Sequence, residues 1–484
     1  MPYSTPQVSK RFVVKAPPLQ TAFRQRISYV SVIAIYVAAV AWIFSSVITR
    51  NYGYWGLGTS APGLSIIYVL AVLAIFPSLW LPMALTRPSD LIIGVTYLII
   101  YIPALLVLPF TSKPLLDRGE CIEVGGLLLV GMYLLHIVRF LPTRAVNSHS
   151  GDGPQHIIVY VLFGVSLLTF AVSRGSSSAI AITYDDIYST RAVFTAARAS
   201  SISAVIASYA AGWLSGILVP ILFSYLFFTR RRAWAIALSF SVSLLIYATT
   251  SYKAVMLEPL FLSAAAIGVL SFRRTFQSAL TIGILIALLP ACYLGTKTNR
   301  LSESELTYVG LVPFRILAVP ALALTQYREF FSANPKTYLS HVKGFSLIIK
   351  YPYAKPLPSV IGTQYYGPNM EGANAGVWAT EGFASFGAIG IPISSVLLGL
   401  LLMLYDSLAK SEDLRISTVT LTYIAVSLSC VSMFTTLLTQ GWIIPYALMI
   451  FFPPGALSIK KPRGLRRYQA TGAPSIMRNL IRVG

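Results

Sequence analysis

Ser359–Gly390 reads SVIGTQYYGPNMEGANAGVWATEGFASFGAIG, a run of Gly, Asn and aromatic residues that passes directly into an apolar segment. It closes the one long polar interval of the chain, Lys297–Glu381. On either side of that interval the sequence is built from apolar runs of about 20 residues, the length a helix needs to cross a bilayer. The contrast decides the fold class: apolar spans carrying one large polar segment.

Composition agrees. Of 484 residues 56% are hydrophobic and only 11% charged, where an ordinary soluble domain carries about 25% charged residues. A soluble chain of this makeup would expose large apolar patches. Lipid offers no partner for free backbone groups, so spans must be helices or a closed barrel. Barrel strands would alternate over about 10 residues, and the runs here are continuous. The expectation is an all-α polytopic membrane protein of about twelve transmembrane helices, with one large external loop containing short interfacial helices.

The expected spans are 28–48, 63–85, 89–110, 123–141, 156–173, 202–228, 233–251, 254–271, 276–295, 383–405, 416–438 and 441–458. The expected parts are a basic cytoplasmic segment at 1–27, a bundle of about nine helices at 28–295, an external loop at 296–382, three helices within 383–458 and a basic cytoplasmic tail at 459–484. Of the 37 Lys and Arg residues, this arrangement places 22 in cytoplasmic stretches and 7 in short external ones. Short loops set orientation, so both termini are expected inside. The tail would lie on anionic lipid. Net charge is +21, but no soluble basic domain exists to bind nucleic acid. Residues 1–26 lack a small-residue cleavage site, so no cleaved signal peptide is expected.

Within the loop, Val309–Leu324 is apolar but interrupted by Pro313, Arg315 and Pro320. It reads as a kinked interfacial or dipping helix, too short to span. The prolines of YPYAKPLPSV, Tyr351–Val360, suggest an extended connector.

Metal chemistry finds little support. The four histidines show no paired spacing. Asp185 and Asp186 would point about 100° apart on a helix. Cys121, Cys292 and Cys430 form no framework, and GANAG at Gly372–Gly376 lacks the Walker lysine. No metal or cofactor is expected. Basic residues on the external side are more informative. Arg191 and Arg198 share a helical face, Arg315 sits inside an apolar stretch, and Arg328 lies just beyond it. Lys253 and Glu258 mark a tight external hairpin. Arginine at such depth suits phosphate, since its planar fork binds two oxygens. The competing reading is snorkelling, or pairing with Asp185, Asp186 and Glu329. Glu381, Glu371 and His341 are candidate general bases, or solvated loop residues. Tyr365, Tyr366 and Trp378 suit stacking on sugar faces, or an interfacial aromatic belt.

Four stretches in order resemble one family. NMEGANAGVWATEGFASFGAIGIPI, RILAVPALALTQYREFF, DDIYSTRAVF at Asp185–Phe194 and the Lys-bearing SYKAVMLEPL together resemble the Wzy-type O-antigen or oligosaccharide repeat-unit polymerases. The similarity runs from about Asp185 to Tyr405. It implies a glycosyltransferase that joins repeat units carried on undecaprenyl pyrophosphate at the outer face of the inner membrane, with membrane lipids and a chain-length regulator as partners. Under it, Arg191, Arg198, Lys253, Arg315 and Arg328 hold the pyrophosphate. Glu381 is the first choice of base, with Glu371 or His341 behind it. Tyr365, Tyr366, Asn369, Asn374 and Trp378 contact sugar. An O-antigen ligase of similar topology and a non-enzymatic transporter or flippase remain open, although no matched pair of interrupted segments marks a transporter.

Overall fold

A computed structural model describes residues 19–58, 64–142, 156–173, 201–342, 344–367, 378–452 and 457. Among them every regular element is helical, apart from an isolated antiparallel bridge between Leu57 and Thr111. In chain order the principal helices are α1 (Phe23–Trp55), α2 (Ser65–Leu79), α3 (Ser89–Phe110), α4 (Arg118–Val138), α5 (Ile157–Val172), α6 (Ile202–Phe228), α7 (Arg232–Ala248), α8 (Glu258–Ser271), α9 (Arg273–Leu294) and α10 (Glu303–Ala333). There follow α11 (Leu357–Tyr366), α12 (Trp378–Phe386), α13 (Gly390–Leu408), α14 (Leu414–Ser427), α15 (Met433–Thr439) and α16 (Ile443–Phe451).

By length and composition, 7 helical stretches among the described residues can cross a membrane: α1, α3, α4, α6, α9, α10 and the continuous stretch from α12 through α13. The pair α15 and α16, bent by 58°, makes an eighth if counted as one span. The chain is therefore a helical polytopic membrane protein. Each of the twelve expected stretches carries helix, but five of them (α2, α5, α7, α8, α14) are short apolar helices.

Hydrogen bonds sort the helix ends into two groups. At one end, Gly58 N–H donates to Phe110 O (2.8 Å), and Arg50 donates to the carbonyls of Lys297 (2.7 Å) and Thr298 (2.6 Å). This end joins α1, α3 and α9, with the start of α4 close by in the chain. At the other end, Leu85 N–H donates to Arg273 O (2.8 Å), Arg26 to Leu81 O (2.7 Å) and Ser89 Oγ to Asp406 (2.6 Å). Arg139 there meets Asp90 at 2.6 Å, both fully buried. Glu412, near this end, accepts from Leu457 N–H at 2.9 Å.

Two stretches that qualify as spans by length do not behave as simple crossings. The first is α10. Expected as a kinked helix over Val309–Leu324, too short to span, it is 31 residues long. Pro313 falls within a π-helical stretch, Gly310–Ala318, and Pro320 follows directly after it; wide turns of this kind accommodate the missing donor and the ring. Near its start, Tyr52 donates to Leu306 O (3.1 Å) and stacks on Phe314 at 4.1 Å. Near its finish, Arg328 pairs with Glu120 and Glu123 in the first turns of α4. Both contacts lie near the Arg50 end, although the stretch is long enough to cross.

The second is the stretch from α12 through α13, expected as a plain span from 383. Trp378 Nε1 donates to Ser395 Oγ at 2.6 Å, whereas residues this far apart in one straight helix stand about 25 Å apart. Gly387, at φ +69°, turns the chain, and α12 packs antiparallel on α13. Gly382 and Gly390 face each other so closely that a Cβ on either would collide with the other's carbonyl. This hairpin tucks against α4, where Gly131 leaves room for Ser395, to which a Cβ would come within 2.8 Å. A similar close fit clasps the broken pair: Gly212 and Gly216 of α6 lie against the carbonyls of Thr439 and Gln440.

A small separate core of Tyr327, Phe331, Leu357, Ile361 and Ala384 joins α10, α11 and α12 at the Arg50 end. The stretch expected as an extended proline connector thus ends in a short helix, α11.

Candidate functional site

The interval from α10 to α12 folds back so that two proposed bases, distant in sequence, meet. Glu381 stands in the first turn of α12 and is 1% exposed. Its Oε2 accepts the Met433 N–H at 2.9 Å, at the start of α15. His341 Nε2 lies 3.5 Å from Glu381 Oε1. Neither of those two atoms has a hydrogen-bond partner among the described residues. His341 Nδ1 lies 2.9 Å from Thr337 Oγ1, which also reaches Ala384 O at 3.0 Å.

The backbone that delivers His341 is strained. Tyr338 and Leu339 adopt successive positive φ angles, 48° and 66°; such conformations cost about 1–3 kcal/mol each for non-glycine residues and persist only when surroundings enforce them. The enforcement is visible: Thr337 and Tyr338 N–H donate to the carbonyls of Ala384 (2.8 Å) and Ser385 (3.1 Å) at the end of α12.

Proton bookkeeping limits what the pair can be. If the Thr337 hydroxyl donates to Ala384 O, Nδ1–H donates to Thr337 and a bare Nε2 faces the carboxyl. If the hydroxyl instead donates to Nδ1, Nε2–H faces the carboxylate. Either arrangement suits proton exchange at Nε2 and Oε1.

A narrow cleft adjoins Glu381, with room for about one water molecule. Gly382, Ser385 and Ser394 line one part, and Leu339, Phe386, Ile393, Leu397, Met433 and Phe434 make the rest apolar.

The proposed phosphate ligands do not gather as a cluster among the described residues. Arg315 is exposed on α10, with no carboxylate in ion-pair range among the described residues. It lies within electrostatic reach of Cys430, which precedes Met433 by a stretch spanning at most about 11 Å. Arg315 and the His341–Glu381 pair therefore flank one connector. Arg328 departs from its assigned role: its guanidinium is bound to Glu120 at 2.8 Å and Glu123 at 3.1 Å, so its charge is already matched. Lys253 opens a helical turn, Lys253–Met256, and its side chain lies outside the description. Arg191, Arg198, Glu371, Asn369 and Asn374 lie outside the described residues.

The aromatic candidates divide differently. Trp378 is 3% exposed and packed between α4 and α13, which leaves no face for a sugar. Tyr365 donates to Gln326 O at 3.0 Å and to Glu329, and Tyr366 receives from Gln326 Nε2 at 2.5 Å while its ring meets Trp55 at 4.8 Å. Both are half-buried structural contacts between α10 and α11. Sequence reading missed Thr337 and the Met433 amide, for which no local pattern exists. Among the described residues no group of His, Cys, Asp or Glu could hold a metal ion. No family model, curated protein or solved structure matches this chain.

Proposed function

We propose that this protein is a membrane glycosyltransferase that polymerises oligosaccharide repeat units carried on undecaprenyl pyrophosphate. One observation carries the reading: two candidate bases converge as a buried pair, at one end of a connector whose other end lies within electrostatic reach of the exposed Arg315. An acceptor hydroxyl between Nε2 and Oε1 would lose its proton to His341 or Glu381. Its oxygen would attack the anomeric carbon, and the carbon–oxygen bond to pyrophosphate would break. The leaving diphosphate would take its developing charge toward Arg315.

In this reading the chain crosses the inner membrane twelve times. α10 and the α12 hairpin are dipping elements at the outer end, and the Arg139 end is cytoplasmic. The basic residues Arg87, Arg230, Arg231, Arg232, Arg273 and Arg274 belong to that inner end.

The test is extension of a synthetic undecaprenyl-pyrophosphate oligosaccharide by purified protein, read as a product ladder. Growth of the ladder supports polymerisation. Transfer only to a lipid A core acceptor would make the protein a ligase, and binding with no transfer to any acceptor would exclude both.

A further inference from the structure

We propose that the turn Phe345–Ile348 is a lipid-inserting finger that fixes the His341–Glu381 pair at headgroup depth in the leaflet on the Arg50 side. Leu347 is 89% and Ile348 85% exposed, side by side at the tip of a short 3-10 turn. Consecutive aliphatic side chains this bare are disfavoured in water and at home among acyl chains. The turn is built, not frayed: Leu347 and Ile348 N–H donate to Gly344 O (3.2 Å) and Phe345 O (3.0 Å).

Its place in the fold identifies the occupant. The Phe345 ring lies 6.0 Å from Phe434, in the first turn of α15, part of the membrane bundle. Exposed Tyr338 and Ile389, the latter at the tip of the α12 hairpin, continue the apolar surface around the same end. Exposed Lys350 and half-buried Tyr351 follow the finger, the residue types that anchor at the lipid–water boundary. Leu347 is six residues from His341, at most about 20 Å of chain, and hydrogen-bonded turns shorten that reach. The apolar wall of the cleft, through Phe434, lies between finger and carboxyl. A group reacting at Glu381 would thus arrive along the membrane plane. Finger depth does not depend on the reaction; only the identity of that group rests on the function proposed above.

The experiment places a spin label at Leu347→Cys and, separately, Ile348→Cys, in full-length protein carrying Cys121→Ala, Cys292→Ala and Cys430→Ser. Each is reconstituted in phosphatidylethanolamine–phosphatidylglycerol vesicles. Collisions with oxygen are compared with collisions with a water-soluble nickel chelate. Insertion predicts oxygen collisions exceeding chelate collisions at both sites, with the reverse at Lys355→Cys. Chelate-dominated collisions at Leu347 would put the tip in water and overturn the proposal. An immobilised label reached by neither reagent would overturn it equally, by showing a second copy or another protein over the finger. Leu347→Asp with Ile348→Asp should slow extension of a long-prenyl substrate about tenfold more than that of a short-chain analogue. An inserted finger on a protein that extends no substrate would refute the polymerase and leave this inference standing.

Discussion

Arg315 and Arg328 share helix α10 but not an electrical environment. Arg328 faces Glu120 and Glu123, whereas Arg315 faces no described carboxylate. Arg328→Ala should therefore lower thermal stability and leave the extension rate within about twofold. A double-mutant cycle of Arg328→Ala with Glu120→Gln should give a coupling of about 0.5–1 kcal/mol, the range of partly exposed pairs. Arg315→Ala should slow extension with little change in melting temperature. Glu381→Gln keeps the shape of the side chain and removes its basicity, so a general base there predicts a fall of about 10²–10⁴ in rate. Unchanged turnover in the Gln variant would reduce Glu381 to a helix cap for α15. The sequence marked both arginines as unusual; it could not distinguish them, because Glu120 lies some two hundred positions away and Arg328 had nearer acids, Asp185, Asp186 and Glu329, to choose from. His341 and Glu381 were each legible as candidates, but their pairing depends on a strained turn at Tyr338–Leu339 that no periodicity announces.

At the scale of elements, apolar run length placed the helices well and misjudged two of them. It took α10 for a short kinked helix, where a π-helical stretch absorbs Pro313 and the helix runs on past Pro320. It joined the end of the polar interval to a plain span, where glycines fold α12 back on α13. Hairpin and rod have the same composition, so only contacts between distant turns separate them. Gly382 is accordingly sensitive: Gly382→Ala puts a methyl group into the Gly390 carbonyl and should cost about 2 kcal/mol or more by overpacking. Gly126→Ala on α4, where nothing lies within 4 Å, should be neutral or slightly stabilising. Thermal unfolding of the two variants in one detergent checks the difference.

For the whole molecule, the decisive question is the sidedness of α10. If it returns to its starting end, Ser302→Cys and Asn334→Cys, in a background without other cysteines, react with a membrane-impermeant maleimide from the same side. A crossing helix would expose them on opposite sides. The α12 hairpin also bears on how the protein is made. Emerging as a straight rod, residues 378–408 would be about 46 Å long, longer than the hydrocarbon core of about 30 Å, with Glu381 near one end. Doubling over at Gly387 brings the element within bilayer thickness and seats the carboxylate on the Met433 N–H, a partner that leaves the ribosome 52 residues later.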